Sequence, residues 1–168
     1  MEPTLVLFSG LPGCGKTTLA RRVAQQFRIP LFSKDRVQRV LRDHIPEATG
    51  MDGYHLMLDL AEEQLGLGIP VVLDAVFPLL ELRQAAREMA ARHGARWRPV
   101  VCHYSEENLY RRRLEERVQY TPGWTPLGWE EVERVRTYYQ PWPDGEALTL
   151  DAVEPIEANF ARLVDYLR

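Results

Sequence analysis

The chain has 168 residues and a formal net charge of −3; 45% of its residues are hydrophobic and 27% are charged. These fractions are typical of a soluble globular protein, and the length fits one domain over residues 1–168. No apolar run approaches the roughly 20 residues that span a bilayer, and no basic segment precedes a signal-like stretch, so we expect a cytoplasmic protein without a membrane partner. The negative charge excludes a general basic field for nucleic acid.

An apolar run over residues 5–8 leads into a glycine-rich turn and then into a helical pattern. Four residues match the phosphate-loop pattern G-x-x-x-x-G-K-[ST]: Gly10, Gly15, Lys16 and Thr17. Glycines allow successive backbone N–H groups to point at phosphate oxygens, and the following helix adds the positive end of its dipole. The predicted nucleotide-binding residues of this loop are Gly10, Leu11, Pro12, Gly13, Cys14, Gly15, Lys16, Thr17 and Thr18.

Two side chains of the loop have chemical tasks of their own. The ammonium group of Lys16, expected to be an exposed loop cation, can reach the β- and γ-phosphates of a nucleotide, and the Thr17 hydroxyl is a ligand for Mg²⁺. The loop therefore predicts a nucleoside triphosphate with Mg²⁺. Because the chain has no N-K-x-D motif to read guanine, a GTPase is disfavoured. Cys14 and Cys102 have no metal-ligand spacing and are expected to be a reduced pair without a disulfide.

Helical and strand patterns alternate along the rest of the chain. Apolar residues at helical spacing predict helices over residues 17–27, 34–43, 54–67, 79–92, 105–118, 129–140 and 155–167. Short apolar runs predict strands over residues 5–8, 30–33, 69–75, 97–103 and 147–150, and loops are expected over 46–53 and 120–128. The alternation predicts an α/β protein with an open parallel sheet of about five strands and helices on both faces. Combined with the phosphate loop between the first strand and helix, this arrangement is expected to be the three-layer P-loop NTPase fold.

Two aspartates follow predicted strands, at the edge of the sheet where the phosphate loop lies. Ligands of open parallel sheets bind beyond the carboxyl ends of the strands. Asp35 is a candidate general base for an attacking hydroxyl, the alternative being a helix-capping residue. Asp74 is a candidate magnesium ligand through water, the alternative being a turn residue at a strand end. Since Ala75 rather than a glutamate follows Asp74, a water-activating ATPase of the motor type is disfavoured.

A cluster of arginines indicates a helical lid over about residues 110–140. Arg113 and Arg117 lie one helical turn apart, and a Gly/Pro loop joins their helix to a second helix that contains Arg134. Guanidinium groups bind phosphate oxygens in a fork, and a closing lid brings such groups to a nucleotide. The alternative is a solvated helix face whose arginines pair with neighbouring glutamates.

These motifs together resemble those of the small P-loop kinases grouped with polynucleotide 5′-kinases, zeta-toxin-like kinases and chloramphenicol phosphotransferase, within the AAA-type ATP-binding domain family. The matching stretches, in chain order, are GLPGCGKTTLA, SKD with Asp35, VVLDA with Asp74, ELRQAAREMA with Arg83, YRRRLEER with Arg113 and Arg117, and ALTLDA. The resemblance implies that Lys16 and Thr17 bind phosphate and Mg²⁺ and that Asp35 is the general base. It further implies that lid arginines neutralise the transferring phosphoryl group: Arg113, Arg117 and Arg134.

The chain is therefore expected to be a kinase that moves the γ-phosphate of Mg-ATP to a hydroxyl of a small-molecule acceptor, with ATP and Mg²⁺ as cofactors. One alternative is a polynucleotide 5′-hydroxyl kinase, with nucleic acid as its partner, and another is a nucleotide-dependent regulatory ATPase or switch. Polynucleotide kinases of this type have an arginine three residues after the base, whereas this chain has Gln38. Several aromatic residues are candidates for lining an acceptor pocket, with packing as the alternative: Trp124, Trp129, Tyr138, Tyr139 and Trp142. No oligomeric state is predicted.

Overall fold

The structure, a computed structural model, describes residues 2–116 and 127–168. The strands are β1 (Thr4–Ser9), β2 (Leu31–Ser33), β3 (Val71–Asp74), β4 (Arg96–His103) and β5 (Leu148–Asp151). The helices are α1 (Lys16–Phe27), α2 (Lys34–His44), α3 (Gly50–Gly66), α4 (Leu80–Arg92), α5 (Glu107–Glu116), α6 (Trp129–Arg136) and α7 (Ile156–Leu167). Within these ranges the five strands run parallel in the order β2-β3-β1-β4-β5, which confirms the predicted α/β fold.

Strand β1 is the centre of the sheet because its side chains are apolar on both faces. Leu5 and Leu7 point into a core shared with α3 and α4, whereas Val6 and Phe8 point into a core shared with α1 and α7. All four side chains are at most 2% exposed. Such alternation in a strand buried on both faces requires helices on both sides of the sheet, and three layers result.

The register of the sheet brings the candidate functional residues to its carboxyl edge. Asp74, the last residue of β3, pairs with Phe8 of β1 on one side and with Ser33 of β2 on the other. The phosphate loop follows β1 directly, and α2 begins directly after Ser33. Because neighbouring parallel strands end at the same edge, the loop, Asp74 and the start of α2 lie side by side.

Helix α3 begins at Gly50, so the loop expected over residues 46–53 is wrong in its last part. Thr49 explains the early start. Its hydroxyl accepts the N–H of Asp52, and the Asp52 carboxylate accepts the N–H of Thr49 at 2.6 Å. This reciprocal pair is a capping box in which aspartate replaces the more usual glutamate, and the stretch therefore does not match the usual signature of a helix start.

Helix α6 ends at Arg136 rather than at the predicted residue 140. The residues that follow are held by the loop before α4. Gln140 donates its N–H to the carbonyl oxygen of Pro78 at 2.8 Å, and its side-chain oxygen accepts the N–H of Leu80 at 2.5 Å. These tertiary contacts draw the chain away from the helix axis. The helix predicted over 105–118 is confirmed over Glu107–Glu116, and the loop predicted over 120–128 lies mostly outside the described residues.

Three apolar residues that the helical period places on buried faces are exposed: Val40 (60%), Leu56 (38%) and Ile156 (37%). In α2 the buried residue is instead Gln38, 3% exposed, because its side chain packs against Gly53 of α3. A helical period identifies an apolar stripe, but not a polar residue that a neighbouring helix covers. None of the helices in the two described ranges has the length and apolarity that crossing a bilayer requires.

Candidate active site

The phosphate loop turns sharply between β1 and α1. Gly10 has a φ of 131°, and a Cβ at this position would lie 2.1 Å from the carbonyl oxygen of Cys102. Only glycine fits here, because the backbone conformation and the close approach of β4 both exclude a side chain. Gly13 and Gly15 also have positive φ values, 82° and 87°. This backbone allows N–H groups of the loop to converge on an anion.

Lys16 is buried, with 7% of its surface exposed, so the expectation of an exposed loop cation is wrong. Its Nζ donates to the carbonyl oxygen of Leu11 at 2.7 Å and lies 3.8 Å from the Cys14 Sγ. Burial opposes the charge, but the neighbouring Cys14 and Asp74 outweigh it and raise the pKa of Lys16 above its usual value. The ammonium group is therefore held protonated at the base of the loop.

Asp74 and Thr17, the two candidate magnesium ligands, lie together. The Asp74 carboxylate is 3% exposed, and the hydroxyls of Thr17 and Ser33 are its neighbours. Burial raises the pKa of Asp74, although the charge of Lys16 and these two hydroxyls act in the opposite direction. A carboxylate and a hydroxyl fit Mg²⁺, which keeps several waters and takes further oxygen ligands from phosphates. Among the described residues, no group of three or more His, Cys, Asp or Glu side chains has the arrangement of a metal site.

Asp35 lies in the first turn of α2, and its side chain is exposed. No side-chain hydrogen bond caps this helix, whereas the first-turn position of Asp35 suits the interaction with the helix dipole on which its alternative role rests. After larger causes, of which burial is the first, the negative charge of Asp35 contributes to the raised pKa of both Lys16 and Asp74. The structure thus brings the candidate base to the phosphate loop and the candidate magnesium ligand.

Lys34, which directly precedes Asp35 in the chain, packs over the ring of Tyr54 of α3. The Tyr54 hydroxyl accepts the N–H of Phe77 at 3.1 Å, which joins α3 to the loop after β3. The Nζ of Lys34 lies 5.4 Å from the centroid of the Tyr54 ring, and burial lowers the pKa of Lys34. The charge of Asp35, the next residue in the chain, opposes this lowering.

A cavity of about 410 Å³ adjoins the phosphate loop on the side of β4 and β5. The loop contributes Cys14, Gly15 and Thr18 to its wall, and the segment after β5 contributes residues 152–156. Arg113 also lines the cavity; its Nη1 donates to the carbonyl oxygen of Ala152 at 2.7 Å. Arg113, a predicted nucleotide ligand, therefore lies in the wall of the same cavity as residues of the phosphate loop.

Asn159 of α7 lines the same cavity and is 3% exposed. Its Nδ2 donates to the carbonyl oxygen of Asp151 at 2.7 Å, whereas its Oδ1 has no hydrogen-bond partner among the described residues. A buried acceptor without a partner is costly unless a ligand or water supplies a donor. No sequence motif identifies Asn159, because its role depends on the fold bringing α7 to the cavity.

The lid helix α5 lies directly on the phosphate loop. A Cβ on Gly13 would be 2.5 Å from the Cδ1 of Leu114 and 3.2 Å from the Cδ2 of Leu127. The Tyr110 hydroxyl donates a hydrogen bond to the carbonyl oxygen of Pro12. The lid and the loop are therefore in contact in this structure, and glycine at position 13 is what permits it.

Trp129, a candidate for the acceptor pocket, packs inside the lid instead. Its ring contacts the edge of Tyr110 at a centroid distance of 5.3 Å. The guanidinium groups of Arg111 and Arg136 lie 4.5 Å and 5.2 Å from the Trp129 centroid. The packing alternative is thus the one observed for Trp129, and Trp124 lies outside the described residues.

The other two predicted lid arginines differ in what the structure shows of them. Arg134 is exposed, and Glu131 accepts two hydrogen bonds from its guanidinium group at 2.8 Å and 2.6 Å. A contact between Arg134 and a phosphate requires this pair to open, and it stays a prediction. Arg117 lies outside the described residues.

Arg83, part of a stretch that matches kinase motifs, is bound by backbone carbonyl groups. Its Nε donates to Phe77 at 2.7 Å, its Nη2 to Gln140 at 2.5 Å and its Nη1 to Pro141 at 3.2 Å. Phe77 has a φ of 47°, which is uncommon for a bulky side chain. Arg83 therefore fixes the loop that follows Asp74, a positioning task that its sequence motif does not reveal.

Tyr139 and Trp142, two more candidates for the acceptor pocket, bind Ser9 at the end of β1. The Tyr139 hydroxyl and the Trp142 Nε1 each lie 3.0 Å from the Ser9 Oγ. Ser9 in turn donates to the carbonyl oxygen of Val76 at 2.8 Å. These contacts link β1 to the loop after Asp74. Tyr138, the remaining candidate, is 41% exposed.

Sheet order, phosphate loop and helical lid together define a class, the small P-loop kinase fold. A sugar kinase from Janibacter sp. HTCC2649 is similar with a TM-score of 0.75 at 15% identity, over 98% of this chain and 94% of that one. A gluconokinase from Sinorhizobium meliloti 1021 has a TM-score of 0.65 at 20% identity, over 98% and 95%. The Mycobacterium tuberculosis APS kinase CysC, in complex with AMPPNP and APS, has a TM-score of 0.61 at 23% identity, over 99% and 98%.

The chain belongs to the AAA_33 family, an AAA domain, whose profile matches residues 5–141. This membership confirms the resemblance expected from the motifs. The uncharacterized protein Rv2004c of Mycobacterium tuberculosis (strain ATCC 25618 / H37Rv) is 36% identical over 52% of this chain. The match spans 20% of that relative's length.

Proposed function

We propose that this chain is a kinase that moves the γ-phosphate of Mg-ATP to a hydroxyl group of a small-molecule acceptor. The observation that carries the proposal is the meeting of three features at the carboxyl edge of the sheet: the buried Lys16 ammonium, the Thr17 and Asp74 pair, and the exposed carboxylate of Asp35. They correspond to a phosphate-binding cation, a magnesium-binding pair and a proton acceptor, which are the parts that phosphoryl transfer requires.

The nucleotide would bind with its phosphates on residues 10–18 and its base in the cavity of about 410 Å³. The unpartnered Oδ1 of Asn159 suits the amino group that adenine presents, whereas guanine presents an oxygen at the same ring position and would leave two acceptors facing each other. The planar guanidinium of Arg113 forms part of the same wall. These features favour ATP over GTP.

The residues around Asp74 would hold Mg²⁺ through the Thr17 hydroxyl and the Asp74 carboxylate, the latter through water. Mg²⁺, when bound, neutralises charge on the phosphate oxygens and helps to align the transferring group. Lys16 contributes a second positive charge from its buried position in the loop. Since Lys16 now donates to the Leu11 carbonyl oxygen, nucleotide binding exchanges this contact for a phosphate oxygen.

Asp35 would act on the acceptor. As the acceptor oxygen attacks the γ-phosphorus, the carboxylate takes the hydroxyl proton, and the bond between the γ-phosphorus and the bridging oxygen of ADP breaks. Lys34, next to Asp35, offers the acceptor a cationic contact from above the Tyr54 ring. An exposed carboxylate suits this task because an incoming substrate can reach it.

The surroundings of Gln38 favour a small acceptor over a polynucleotide. In polynucleotide kinases that share these motifs, an arginine at this position grips a phosphate of the substrate. Gln38 is 3% exposed here and lies against Gly53, where a Cβ would be 2.4 Å from its Oε1. A buried amide in a helix interface cannot grip the phosphate of a long polyanion. The similar kinase folds include a sugar kinase and a gluconokinase, which agrees with a small acceptor.

Residues 1–168 would work as one kinase domain, with a lid over about residues 110–140. Closing of the lid would bring Arg117 and Arg134 to the transferring phosphoryl group, together with or in place of Arg113. The cytoplasmic location and the absence of a membrane partner stay predictions from composition.

The experiment is a transfer assay with γ-labelled ATP and Mg²⁺ against a panel of acceptors: sugars, sugar acids, nucleosides, aminoglycoside and phenicol antibiotics, and 5′-hydroxyl oligonucleotides. We expect label on at least one small hydroxyl compound and loss of that label in Asp35→Asn. Asp59→Asn, an exposed aspartate on α3, is the matched control and should keep full activity. Salt-sensitive labelling of oligonucleotide 5′ ends alone would instead identify a polynucleotide kinase.

A further inference from the structure

The chain has two cysteines, and both lie beneath the phosphate loop. Cys14 belongs to the loop and Cys102 to the end of β4, and they are 1% and 2% exposed. Each thiol shifts the pKa of the other, as neighbouring groups do. A Cβ on Gly10 would lie 3.0 Å from the Cys14 Sγ and 2.1 Å from the Cys102 carbonyl oxygen, so loop and strand are in close contact at this point. The spacing in the sequence does not reveal this proximity.

Both cysteines also line the cavity next to the phosphate loop. Its volume of about 410 Å³ is many times the roughly 30 Å³ that one water molecule occupies in the liquid. A molecule as small as hydrogen peroxide can therefore reach the two sulfur atoms when no nucleotide occupies the cavity.

The two thiols differ in reactivity. Burial raises the pKa of Cys14, but the neighbouring Cys102 thiol and then the charge of Lys16 outweigh it and lower the pKa to about 7. The Lys16 Nζ lies 3.8 Å from the Cys14 Sγ. The neighbouring Cys14 thiol, followed by burial, raises the pKa of Cys102. Cys14 is thus the better nucleophile, and Cys102 is the neighbouring thiol that can resolve an oxidised sulfur.

We propose that Cys14 and Cys102 form an oxidisable dithiol site that reacts with small peroxides, and that the resulting disulfide and a bound nucleotide exclude each other. In the first step the Cys14 thiolate attacks one peroxide oxygen; a sulfur–oxygen bond forms, the oxygen–oxygen bond breaks, and hydroxide leaves and is protonated to water. In the second step the Cys102 sulfur attacks the sulfenic acid, a disulfide forms, and the departing hydroxide takes the Cys102 proton as water. Two thiols are oxidised and one peroxide is reduced to two waters.

The disulfide would change the loop that the nucleotide needs. A sulfur–sulfur bond is about 2.05 Å long, so the Cys14 sulfur must move toward β4. This movement pulls on Gly15 and Lys16, whose N–H and ammonium groups face the phosphates in the proposed function, and removes the thiol contact of Lys16. The part of the proposal that concerns nucleotide rests on the proposed function, whereas disulfide formation does not.

The test uses the full chain, reduced and then treated with hydrogen peroxide, with and without Mg-ATP. Free thiols are alkylated, and intact mass and peptide mapping locate the product. We expect a monomer that has lost two hydrogen atoms, with a Cys14 to Cys102 linkage, and slower formation of this product in the presence of Mg-ATP. Mg-ATP affinity should fall about tenfold or more on oxidation and return with dithiothreitol.

Cys102→Ala is the matched variant, and each protein is compared with its own reduced form. This variant should gain oxygen on Cys14 instead of losing hydrogen, because no resolving thiol remains. Addition of oxygen to wild-type Cys14 without a linkage, or covalent dimers as the main product, would overturn the dithiol site. A linkage that leaves Mg-ATP affinity unchanged would overturn the exclusion. If the reduced protein binds no Mg-ATP, the proposed function fails while the mass spectrum still decides the disulfide.

Discussion

Lys16 carries its charge in a nearly closed environment, and this burial determines what its removal does. In Lys16→Ala, we expect phosphoryl transfer to fall by about 10² to 10³, because a preorganised cation that faces the phosphates is lost. The variant should still fold. Transfer rates at saturating Mg-ATP, compared with those of the exposed control Arg21→Ala, measure the effect. Full activity in Lys16→Ala would remove the phosphate-loop mechanism.

The same variant should show a pH-dependent loss of stability. Burial raises the pKa of Asp74, and Lys16 opposes this rise, so Lys16→Ala raises the folded-state pKa of Asp74 further. A carboxyl group whose folded pKa lies above its unfolded value loses stability as pH rises through the folded pKa. The gap in melting temperature between wild type and Lys16→Ala should therefore narrow on going from neutral pH to about pH 5. A gap that widens on acidification would contradict this assignment.

Replacement of Asp35 should slow phosphoryl transfer without weakening the binding of Mg-ATP. Asp35→Asn should keep Mg-ATP affinity and lose about 10² to 10⁴ in transfer rate, the usual contribution of a positioned general base. Isothermal titration and single-turnover transfer measure the two quantities independently. If instead affinity and melting temperature fall while turnover per bound ATP is preserved, Asp35 is a structural residue of α2.

At the residue scale, the phosphate loop could be predicted because its chemistry is local: glycines, a lysine and a threonine at fixed spacing. The burial of Lys16, the orphaned acceptor of Asn159 and the thiol pair could not, since each depends on strands or helices that are distant in sequence. Arg83 shows the limit of motif matching, because its guanidinium is occupied by backbone carbonyl groups rather than by phosphate.

At the element scale, the contact between α5 and the phosphate loop depends on Gly13. Gly13→Ala would place a methyl group 2.5 Å from the Leu114 Cδ1 at a φ of 82°. We expect a loss of unfolding free energy larger than the roughly 1 to 2 kcal/mol that the left-handed conformation alone costs, together with weaker Mg-ATP binding. Chemical denaturation and ATP titration give the two values.

Gly145→Ala is the control for this substitution. Its φ is 78°, and nothing lies within 4 Å of the added carbon, so it reports the backbone cost without the clash. The double variant Gly13→Ala with Leu114→Ala should show a favourable coupling of about 0.5 kcal/mol or more. Equal effects of Gly13→Ala and Gly145→Ala would mean that the lid does not rest on the loop.

Arg113 and Arg117 should differ in the kinetic parameter that their replacement changes. Arg113 lines the cavity beside Ala152, so Arg113→Ala should raise the KM for ATP about tenfold with a smaller change in kcat. Arg117→Ala should lower kcat by about 10³ or more if it completes the site on closure. Steady-state kinetics of both variants measure these changes in KM and kcat. Arg113→Lys tests whether the planar guanidinium group is required. A change in kcat alone in Arg113→Ala would mean that Arg113 acts on the transferring phosphoryl group.

The order and type of the elements followed from hydrophobic periodicity and from turn residues, and their boundaries failed where a tertiary or capping contact decided. Helix α3 starts early because Asp52 completes a capping box with Thr49. Helix α6 stops early because Gln140 is bound to the loop before α4. In α2 the neighbouring helix, rather than the apolar pattern, selects Gln38 for burial.

At the scale of the whole molecule, the candidate active site has two sides, one on each side of β1 in the sheet. The cavity on the side of β4 and β5 lies next to the phosphate loop, and Asp35, Lys34 and Tyr54 lie on the side of β2 and β3. A site built this way is suited to hold nucleotide and acceptor on opposite sides of the transferring phosphate. A regulatory ATPase needs only the side that holds the nucleotide. The presence of an acceptor side is therefore what distinguishes a kinase from a regulatory ATPase.

The most direct measurement of the central claim is the fate of the γ-phosphate itself. Wild-type protein is incubated with γ-labelled ATP, Mg²⁺ and a pool of small hydroxyl metabolites, and label is traced to acceptor, to water and to the protein. We predict that label moves to an acceptor, that ADP forms faster with the pool than without it, and that Asp35→Asn and Lys16→Ala lose this transfer. Release of inorganic phosphate at the same rate with and without acceptors, and equally in Asp35→Asn, would contradict the claim.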